Sequence, residues 1–233
     1  MHYSDRHVVV TGGTGALGTA VVSALLEAGA VCHVPYRSED EAKRFPHRGN
    51  SKVSLVALAD LADEAAVTSF YGGLDKLWAS IHTAGGFAFA PIAKSDKALL
   101  MGQLETNLVS AYLCSRAAVA GFARTGAGGR IVNVAARQAL EPRLGASLTA
   151  YAAAKAGIAA LTIALGEEVA QDGILVNAVA PSIMDTPANR KAMPKANFDA
   201  WPKVEDVAAT ILFLASPENT VTRGAVVPVY GKF

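Results

Sequence analysis

The chain has 233 residues, of which 52% are hydrophobic and 18% are charged, with a formal net charge of +1. This length suffices for one large α/β domain with a substantial core, and the composition excludes an intrinsically disordered chain. No block of lysine and arginine could follow a nucleic-acid backbone, so we expect no nucleic-acid partner.

Short β-branched segments alternate with alanine- and leucine-rich helical segments along the chain. The predicted strands are His7–Thr11, Val31–Tyr36, Lys52–Ala57, Leu77–Thr83, Arg130–Ala135, Leu175–Ala180 and Ala225–Val229. The predicted helices are Gly15–Ala28, Glu39–Phe45, Glu64–Tyr71, Leu99–Arg124, Thr149–Ala170 and Val204–Ala215. This alternation predicts right-handed crossovers and a doubly wound α/β fold, with helices on both faces of a parallel sheet. No linker divides the chain, so residues 1–233 are predicted to form a single domain.

The region from Pro181 to Pro202 is irregular and rich in proline. It follows the carboxyl end of a predicted strand, where ligands of open α/β sheets bind. We therefore predict a lid or substrate loop over about residues 182–203.

Cysteine usage and the amino terminus bear on the cellular compartment. Cys32 and Cys114 lie far apart, without C-x-x-C or zinc spacing, which indicates reduced structural cysteines and no metal site. The first strand is predicted to begin by His7, which leaves no room for a signal peptide. No stretch is expected to approach the ~20 apolar residues of a membrane span. These features predict a cytoplasmic protein with no membrane partner.

A glycine-rich turn joins the first predicted strand to the first predicted helix, and residues 13–18 fit the pattern G-x-G-x-x-G. Glycines permit a tight turn and let backbone N–H groups approach a pyrophosphate at the helix N-terminus. Because the turn follows a strand and opens a helix, we predict dinucleotide binding here. The predicted contacts are Gly12, Thr14, Gly15, Ala16, Leu17 and Gly18.

The end of the second predicted strand bears on the choice of dinucleotide. Tyr36, Arg37 and Ser38 include no acidic residue that would hold the ribose of NAD. A guanidinium and a hydroxyl suit a 2′-phosphate better than a free 2′-hydroxyl. We predict that NADP(H) is favoured over NAD(H); the alternative is that Arg37 is a solvated surface residue.

Tyr151 and Lys155 lie one turn apart on the same face of a predicted helix. An ammonium about 4 Å from the phenol would lower its pKa by about three units at an effective dielectric constant of about 20. Tyr151 could then exchange the proton that accompanies hydride transfer. The alternative for this pair alone is a half-buried tyrosine and a solvated lysine.

Taken together, these motifs resemble those of the short-chain dehydrogenase/reductase family. They are TGGTGALG at Thr11–Gly18, AGG at Ala84–Gly86, Asn107, YAAAK at Tyr151–Lys155 and NAVAPSIMDTP at Asn177–Pro187. The resemblance covers nearly the whole chain. It implies a Rossmann-type seven-stranded parallel sheet, an NAD(P)-dependent oxidoreductase, a small-molecule substrate, and a homodimer or homotetramer.

The resemblance also implies individual roles. Tyr151 would be the proton donor, Lys155 would bind the nicotinamide ribose, and Asn107 would anchor a water that links the lysine to solvent. Further cofactor contacts would come from Asp60 and Leu61 beside the adenine, Ala84 and Gly85 along the cofactor, Pro181, and Ile183 and Thr186 on the carboxamide side.

One departure concerns the family's active-site serine, whose position is occupied by Ala136, and the segment before Tyr151 is two residues longer than usual. Loss of such a hydroxyl donor would remove about 2–4 kcal/mol of stabilisation from a developing alkoxide. Ser147, Thr149 or Gln138 could supply a replacement donor, with Ser147 the best of the three by residue type.

A narrower resemblance accounts for this departure. TGGTGALG, Ala84–Ala88 and above all Asp185–Trp201 resemble quinonoid dihydropteridine reductase, a branch that keeps the tyrosine and lysine without the serine. Three hypotheses follow: a reductase of pteridine-like or other conjugated substrates, a ketone or 3-oxoacyl thioester reductase with a relocated donor, and a non-catalytic cofactor sensor. Retention of Tyr151, Lys155 and Asn107 argues against the sensor, which needs none of them.

Overall fold

A seven-stranded parallel sheet organises the chain, and the computed structural model describes residues 1–232. The strands are β1 His7–Thr11, β2 Val31–Tyr36, β3 Val53–Ala57, β4 Ala79–His82, β5 Gly129–Val134, β6 Ile174–Pro181 and β7 Val226–Val229. Their order in the sheet is β3-β2-β1-β4-β5-β6-β7. The winding reverses between β1 and β4, and the crevice at such a reversal is where dinucleotides bind in this architecture. The predicted doubly wound α/β fold is confirmed.

Nine α-helices occur in the described residues. They are α1 Ala16–Glu27, α2 Glu39–Arg44, α3 Glu64–Gly72, α4 Lys97–Gln103, α5 Ser110–Thr125, α6 Arg137–Leu140, α7 Thr149–Glu168, α8 Pro187–Ala192 and α9 Val204–Ala215. Short 3-10 turns lie at Ile92–Lys94, Pro142–Gly145, Ala170–Asp172 and Phe198–Ala200, and a π-helical turn lies at Leu104–Val109.

The core lies on both faces of the sheet because the strands are buried on both sides. Val8 and Val10 belong to one apolar cluster with Leu25 of α1. Val9 points the other way and belongs to a second cluster with Phe122 of α5. This alternation follows from the period of two along a strand, and it confirms the predicted helices on both faces.

The predicted helix Leu99–Arg124 differs from the structure, which divides this region into α4, the π-helical turn and α5. Asn107 lies in the π-helical turn, and its side-chain amide donates to the carbonyls of Gln103 and Gly86, each at 3.0 Å. A side chain that competes for helix carbonyls favours such a bulge, and these bulges are frequent at functional sites.

Helix α7 corrects one expectation about membrane spans. An 18-residue stretch of this 20-residue helix has a mean hydropathy of 1.3, so the helix is long and apolar enough for a membrane span by length and composition alone. The helix packs against the sheet instead, with Ile158 in an apolar cluster beneath it and Lys155 buried. We interpret α7 as a core helix whose alanine content raises its hydropathy.

Residues 182–203, the predicted lid, are ordered by their own contacts. The Arg190 guanidinium donates to both carboxylate oxygens of Asp185, at 2.6 and 2.7 Å. The same guanidinium lies 4.7 Å from the ring centre of Phe198, whose ring centre is 5.0 Å from that of Trp201. Trp201 is buried, so the far end of the segment is anchored to the body of the protein.

Candidate active site

Two adjoining cavities lie at the carboxyl ends of the strands. The larger cavity has a volume of about 280 Å³, and the smaller cavity has a volume of about 230 Å³. The larger is lined by Gly12, Thr14, Gly15, Pro35, Arg37, Glu41, Leu58, Ala59, Asp60, Leu61, Thr83, Ala84, Gly85, Glu105, Thr106 and Ser110. The smaller is lined by Leu17, Thr83, Gly85, Gly86, Phe87, Asn107, Val134, Ala135, Ala136, Tyr151, Lys155, Pro181, Ser182 and Met184. Because both include Thr83 and Gly85, the two cavities form one groove.

The glycine-rich turn after β1 forms one wall of the larger cavity. Gly12 has φ of +67°, and a Cβ there would lie 2.5 Å from the backbone nitrogen of Ala84. A Cβ on Gly18 would lie 2.1 Å from the carbonyl oxygen of Gly12, so only glycine lets α1 approach the turn this closely. The backbone is thereby exposed beside the N-terminus of α1, an arrangement that fits the pyrophosphate of a dinucleotide.

At the end of β2, Arg37 is paired. Its guanidinium lies 3.2 Å from a carboxylate oxygen of Glu41, and its backbone N–H donates to the other oxygen at 3.3 Å. Ser38 caps α2, because its hydroxyl accepts a hydrogen bond from the backbone N–H of Glu41. Sequence reasoning found Arg37 and missed Glu41, although an i, i+4 pair at a helix start is a readable signal.

Tyr151 and Lys155 both line the smaller cavity from the first two turns of α7. Lys155 Nζ donates to the carbonyl of Val134 at 2.8 Å and lies 5.8 Å from the ring centre of Tyr151. Burial lowers the pKa of Lys155 to about 8 and raises the pKa of Tyr151 to about 12. The expected lowering of the Tyr151 pKa is therefore wrong, because burial raises this pKa instead.

Asn107 connects the π-helical turn to the strand-end segment at Gly85 and Gly86. Its Oδ1 accepts a hydrogen bond from the backbone N–H of Gly86 at 3.2 Å. A Cβ on Gly85 would lie 2.8 Å from this oxygen and 3.5 Å from Lys155 Nζ. The absence of a side chain at Gly85 thus lets Asn107 and Lys155 approach the same point of the groove.

Hydroxyl groups near Tyr151 are few. Ala136 presents a methyl group to the smaller cavity. Within residues 1–232, the other lining hydroxyls belong to Thr83 and Ser182, which donate to the carbonyls of Thr11 and Tyr230 at 2.7 and 2.8 Å. Each hydroxyl has a single proton, so these two present acceptor lone pairs to the cavity. The suggested replacements Ser147, Thr149 and Gln138 are not among the lining residues.

An aromatic side chain stands at the mouth of the smaller cavity. The Phe87 ring meets the Tyr151 ring edge to face, with centres 5.1 Å apart and planes at 74°. Phe87 is nevertheless 63% exposed, and Phe89 is 68% exposed. Exposed aromatic rings beside a cavity provide apolar faces that a flat ligand can cover.

A buried polar chain lies beneath the groove in the middle of the sheet. Ser80 Oγ contacts Tyr71 Oη at 2.7 Å and His82 Nε2 at 2.8 Å. His82 Nδ1 is 2.8 Å from Asn133 Oδ1, and the Asn133 amide donates to Thr162 at 3.0 Å. Because the Asn133 oxygen accepts, Nδ1 carries a proton. Burial lowers the pKa of His82 to about 4, which keeps the ring neutral at pH 7, as is typical of a packed and hydrogen-bonded histidine.

Most of the residues predicted from the sequence to bind cofactor or substrate line the groove. Five do not: Ala16, Gly18, Ser38, Ile183 and Thr186. Ala16 begins α1, Gly18 packs on the turn, and Ile183 is exposed. The Thr186 hydroxyl caps α8 by accepting from the backbone N–H of Asn189, so it is already engaged.

The sheet order, the glycine turn and the groove define the class of α/β proteins that bind dinucleotides at the switch point of a parallel sheet. The family model described as short chain dehydrogenase matches residues 6–197. The chain belongs to the short-chain dehydrogenase/reductase family and is an NAD(P)-dependent oxidoreductase, which confirms the prediction of the family and of an enzyme.

Relatives and solved structures agree with this assignment. Cis-4-hydroxycyclohexanecarboxylate dehydrogenase of Sinomonas cyclohexanicum is 32% identical, covering 99% of this chain and 97% of that protein. Galactitol 2-dehydrogenase of Rhizobium johnstonii is 33% identical, covering 98% and 95%. The structure of ElxO with NADP bound has the same fold, with a TM-score of 0.88 at 24% identity over 97% of this chain and 98% of that one. A short-chain oxidoreductase from Burkholderia thailandensis gives 0.86 at 28% identity, covering 98% and 92%.

Proposed function

We propose that this protein reduces a planar conjugated ring of the dihydropterin type, with Tyr151 as proton donor and NADPH favoured over NADH. The observation that carries this proposal is the chemistry of the smaller cavity, whose wall includes Tyr151 and Ala136, a residue with no hydroxyl to donate. A ketone needs a second donor for its developing alkoxide, whereas a conjugated ring that accepts a hydride disperses the charge over several atoms.

Three residues of the smaller cavity have proposed parts in this reaction. Reduced nicotinamide, when bound, supplies the hydride. The phenol of Tyr151 stays protonated at neutral pH because burial raises its pKa to about 12, so it can donate a proton to the substrate. Lys155, held by the carbonyl of Val134, offers an ammonium to the nicotinamide ribose. Asn107 anchors the water that links Lys155 to solvent.

The cavity walls support a flat substrate with N–H groups. Phe87 offers a ring face at the mouth of the smaller cavity, where it can stack on a planar molecule. Thr83 and Ser182 present acceptors, which suit the N–H groups of a pterin better than a carbonyl oxygen. Residues 182–203 are proposed to act as the lid over this substrate.

Arg37 lines the larger cavity and is the residue proposed to hold the 2′-phosphate of NADPH. Exposed apolar residues Leu100, Met101 and Tyr112, on α4 and α5, support a homodimer or homotetramer. We propose a cytoplasmic location, as the reduced and buried cysteines suggest.

A substrate panel tests the proposed reaction. Oxidation of NADPH would be followed spectroscopically with quinonoid dihydropterin and with aliphatic, cyclic and 3-oxoacyl thioester ketones. We expect the largest kcat/KM for the dihydropterin. A larger value for any of the ketones would overturn the proposal.

A second candidate, reduction of a ketone or oxidation of an alcohol, is favoured by the names of the two relatives, which are dehydrogenases of a hydroxycyclohexanecarboxylate and of galactitol. This reaction would require a hydroxyl that turns its proton toward the cavity. Ser182 is the residue best placed for that change, since its hydroxyl already lies at the wall. Activity with ketones that is lost in Ser182→Ala would support this candidate.

A further inference from the structure

We infer that Glu41 sets the nucleotide preference of this enzyme by restraining Arg37; the inference rests on the proposed role of Arg37 toward the 2′-phosphate. Both side chains line the larger cavity. Within residues 1–232, Arg37 is the one basic residue of that lining, whereas Glu41, Asp60 and Glu105 are acidic. The larger cavity is therefore an acidic site with a single cation.

Glu41 contacts Arg37 at two points. One carboxylate oxygen lies 3.2 Å from the Arg37 guanidinium, and the other accepts the backbone N–H of Arg37 at 3.3 Å. The Glu41 side chain is 26% exposed, while that of Arg37 is 75% exposed. Arg37 is thus the more exposed partner, and the better-buried Glu41 carboxylate engages both its guanidinium and its backbone N–H.

This arrangement acts differently on the two nucleotides. A 2′-phosphate would have to share the Arg37 guanidinium with Glu41, and it would also be repelled by that carboxylate. A free ribose hydroxyl is neutral and meets neither cost. Glu41 therefore weakens NADPH selectively and keeps the preference of the enzyme small, so that both nucleotides bind.

Fluorescence titration of NADPH and NADH without substrate tests this role independently of turnover. Glu41→Gln is expected to tighten NADPH about three- to tenfold and to change NADH less than about twofold. The gain should shrink as salt is raised, because an exposed charge is screened. Glu39→Gln is the matched control: it removes the same charge from α2, but Glu39 pairs with the Tyr36 hydroxyl and does not line the cavity.

Arg37→Ala distinguishes the proposed role of Arg37 toward the 2′-phosphate from the inferred role of Glu41. If it leaves the dissociation constant of NADPH unchanged, the proposed role of Arg37 fails and the inference fails with it. If Arg37→Ala weakens NADPH but Glu41→Gln acts no differently from Glu39→Gln, only the role of Glu41 is overturned. Weaker NADH binding in Glu41→Gln with unchanged NADPH binding would also overturn it, because Glu41 would then be a ribose ligand.

Discussion

One wall of the larger cavity is the glycine-rich turn after β1, where the backbone conformation and the close packing at Gly12 and Gly18 require glycine. The smaller cavity is lined instead by side chains from six segments of the chain. In the proposed function, the backbone wall recognises what all nicotinamide dinucleotides share. Side chains such as Tyr151, Ala136 and Phe87 are proposed to determine which substrate reacts. Nucleotide binding and substrate choice are therefore separable, and variants at one end should leave the other largely intact.

Tyr151→Phe is expected to show the largest difference between an effect on turnover and an effect on nucleotide binding. Removal of the hydroxyl takes away the proposed proton donor, so kcat should fall about a hundred- to ten-thousandfold. The dissociation constant of NADPH should change less than about twofold, since the ring and its packing against Phe87 remain. Steady-state kinetics and nucleotide fluorescence measure the two quantities. A parallel loss of nucleotide affinity would show that the two ends are coupled.

His82 allows a test of the sheet that underlies both cavities. The folded state holds this histidine neutral with a pKa of about 4, below its ordinary value of 6.5, so the unfolded state binds more protons between these values. Stability is then present above pH 6.5 and declines as pH falls toward 4, by about 3 kcal/mol at most from this group.

Urea unfolding at pH 7 and at pH 4.5 measures this decline. His82→Gln should show a smaller difference between the two pH values, whatever its stability at pH 7. The exposed His2 serves as the control, because His2→Gln should keep the full decline. An unchanged decline in His82→Gln would contradict the assignment to His82.

Gly18→Ala tests the backbone wall of the larger cavity. The new Cβ would lie 2.1 Å from the carbonyl oxygen of Gly12, so the helix or the turn must shift. We expect a loss of about 1–3 kcal/mol in the free energy of unfolding, and weaker binding of both nucleotides alike. Gly102→Ala, where a Cβ meets nothing within 4 Å, should be neutral or stabilising. Equal melting temperatures for the two variants would be inconsistent with a tightly packed turn.

The sequence predicted the sheet well because its signals are local. Apolar strands such as Val8–Val10 lie between polar turns, and α9 was predicted with the bounds that the structure has. The π-helical turn was not predicted, since its cause is a contact between Asn107 and Gly86, which are far apart in the sequence. No local pattern reports such a contact.

The sequence predicted which residues line the candidate site better than it predicted their pKa values. The pair Tyr151 and Lys155 was found from spacing, but the expected lowering of the tyrosine pKa was wrong. Lys155 Nζ donates to the carbonyl of Val134. The burial that raises the pKa of Tyr151 and lowers that of Lys155 arises from the packing of the whole groove, which the spacing of the two residues does not show. Glu41 and Ser182 acquired a possible role only when the fold brought them to the cavity walls.

Ala136→Ser tests the central claim most directly, because it restores a hydroxyl beside Tyr151 and changes little else. The quantity to measure is kcat/KM for a ketone and for quinonoid dihydropterin, in both proteins. We expect a gain of about thirtyfold for the ketone, the lower end of what an oxyanion donor contributes, and less than about threefold for the dihydropterin. If the unmodified enzyme instead reduces ketones efficiently, gains nothing from the serine and loses this activity in Ser182→Ala, Ser182 is the hydroxyl donor for ketones and the account is contradicted.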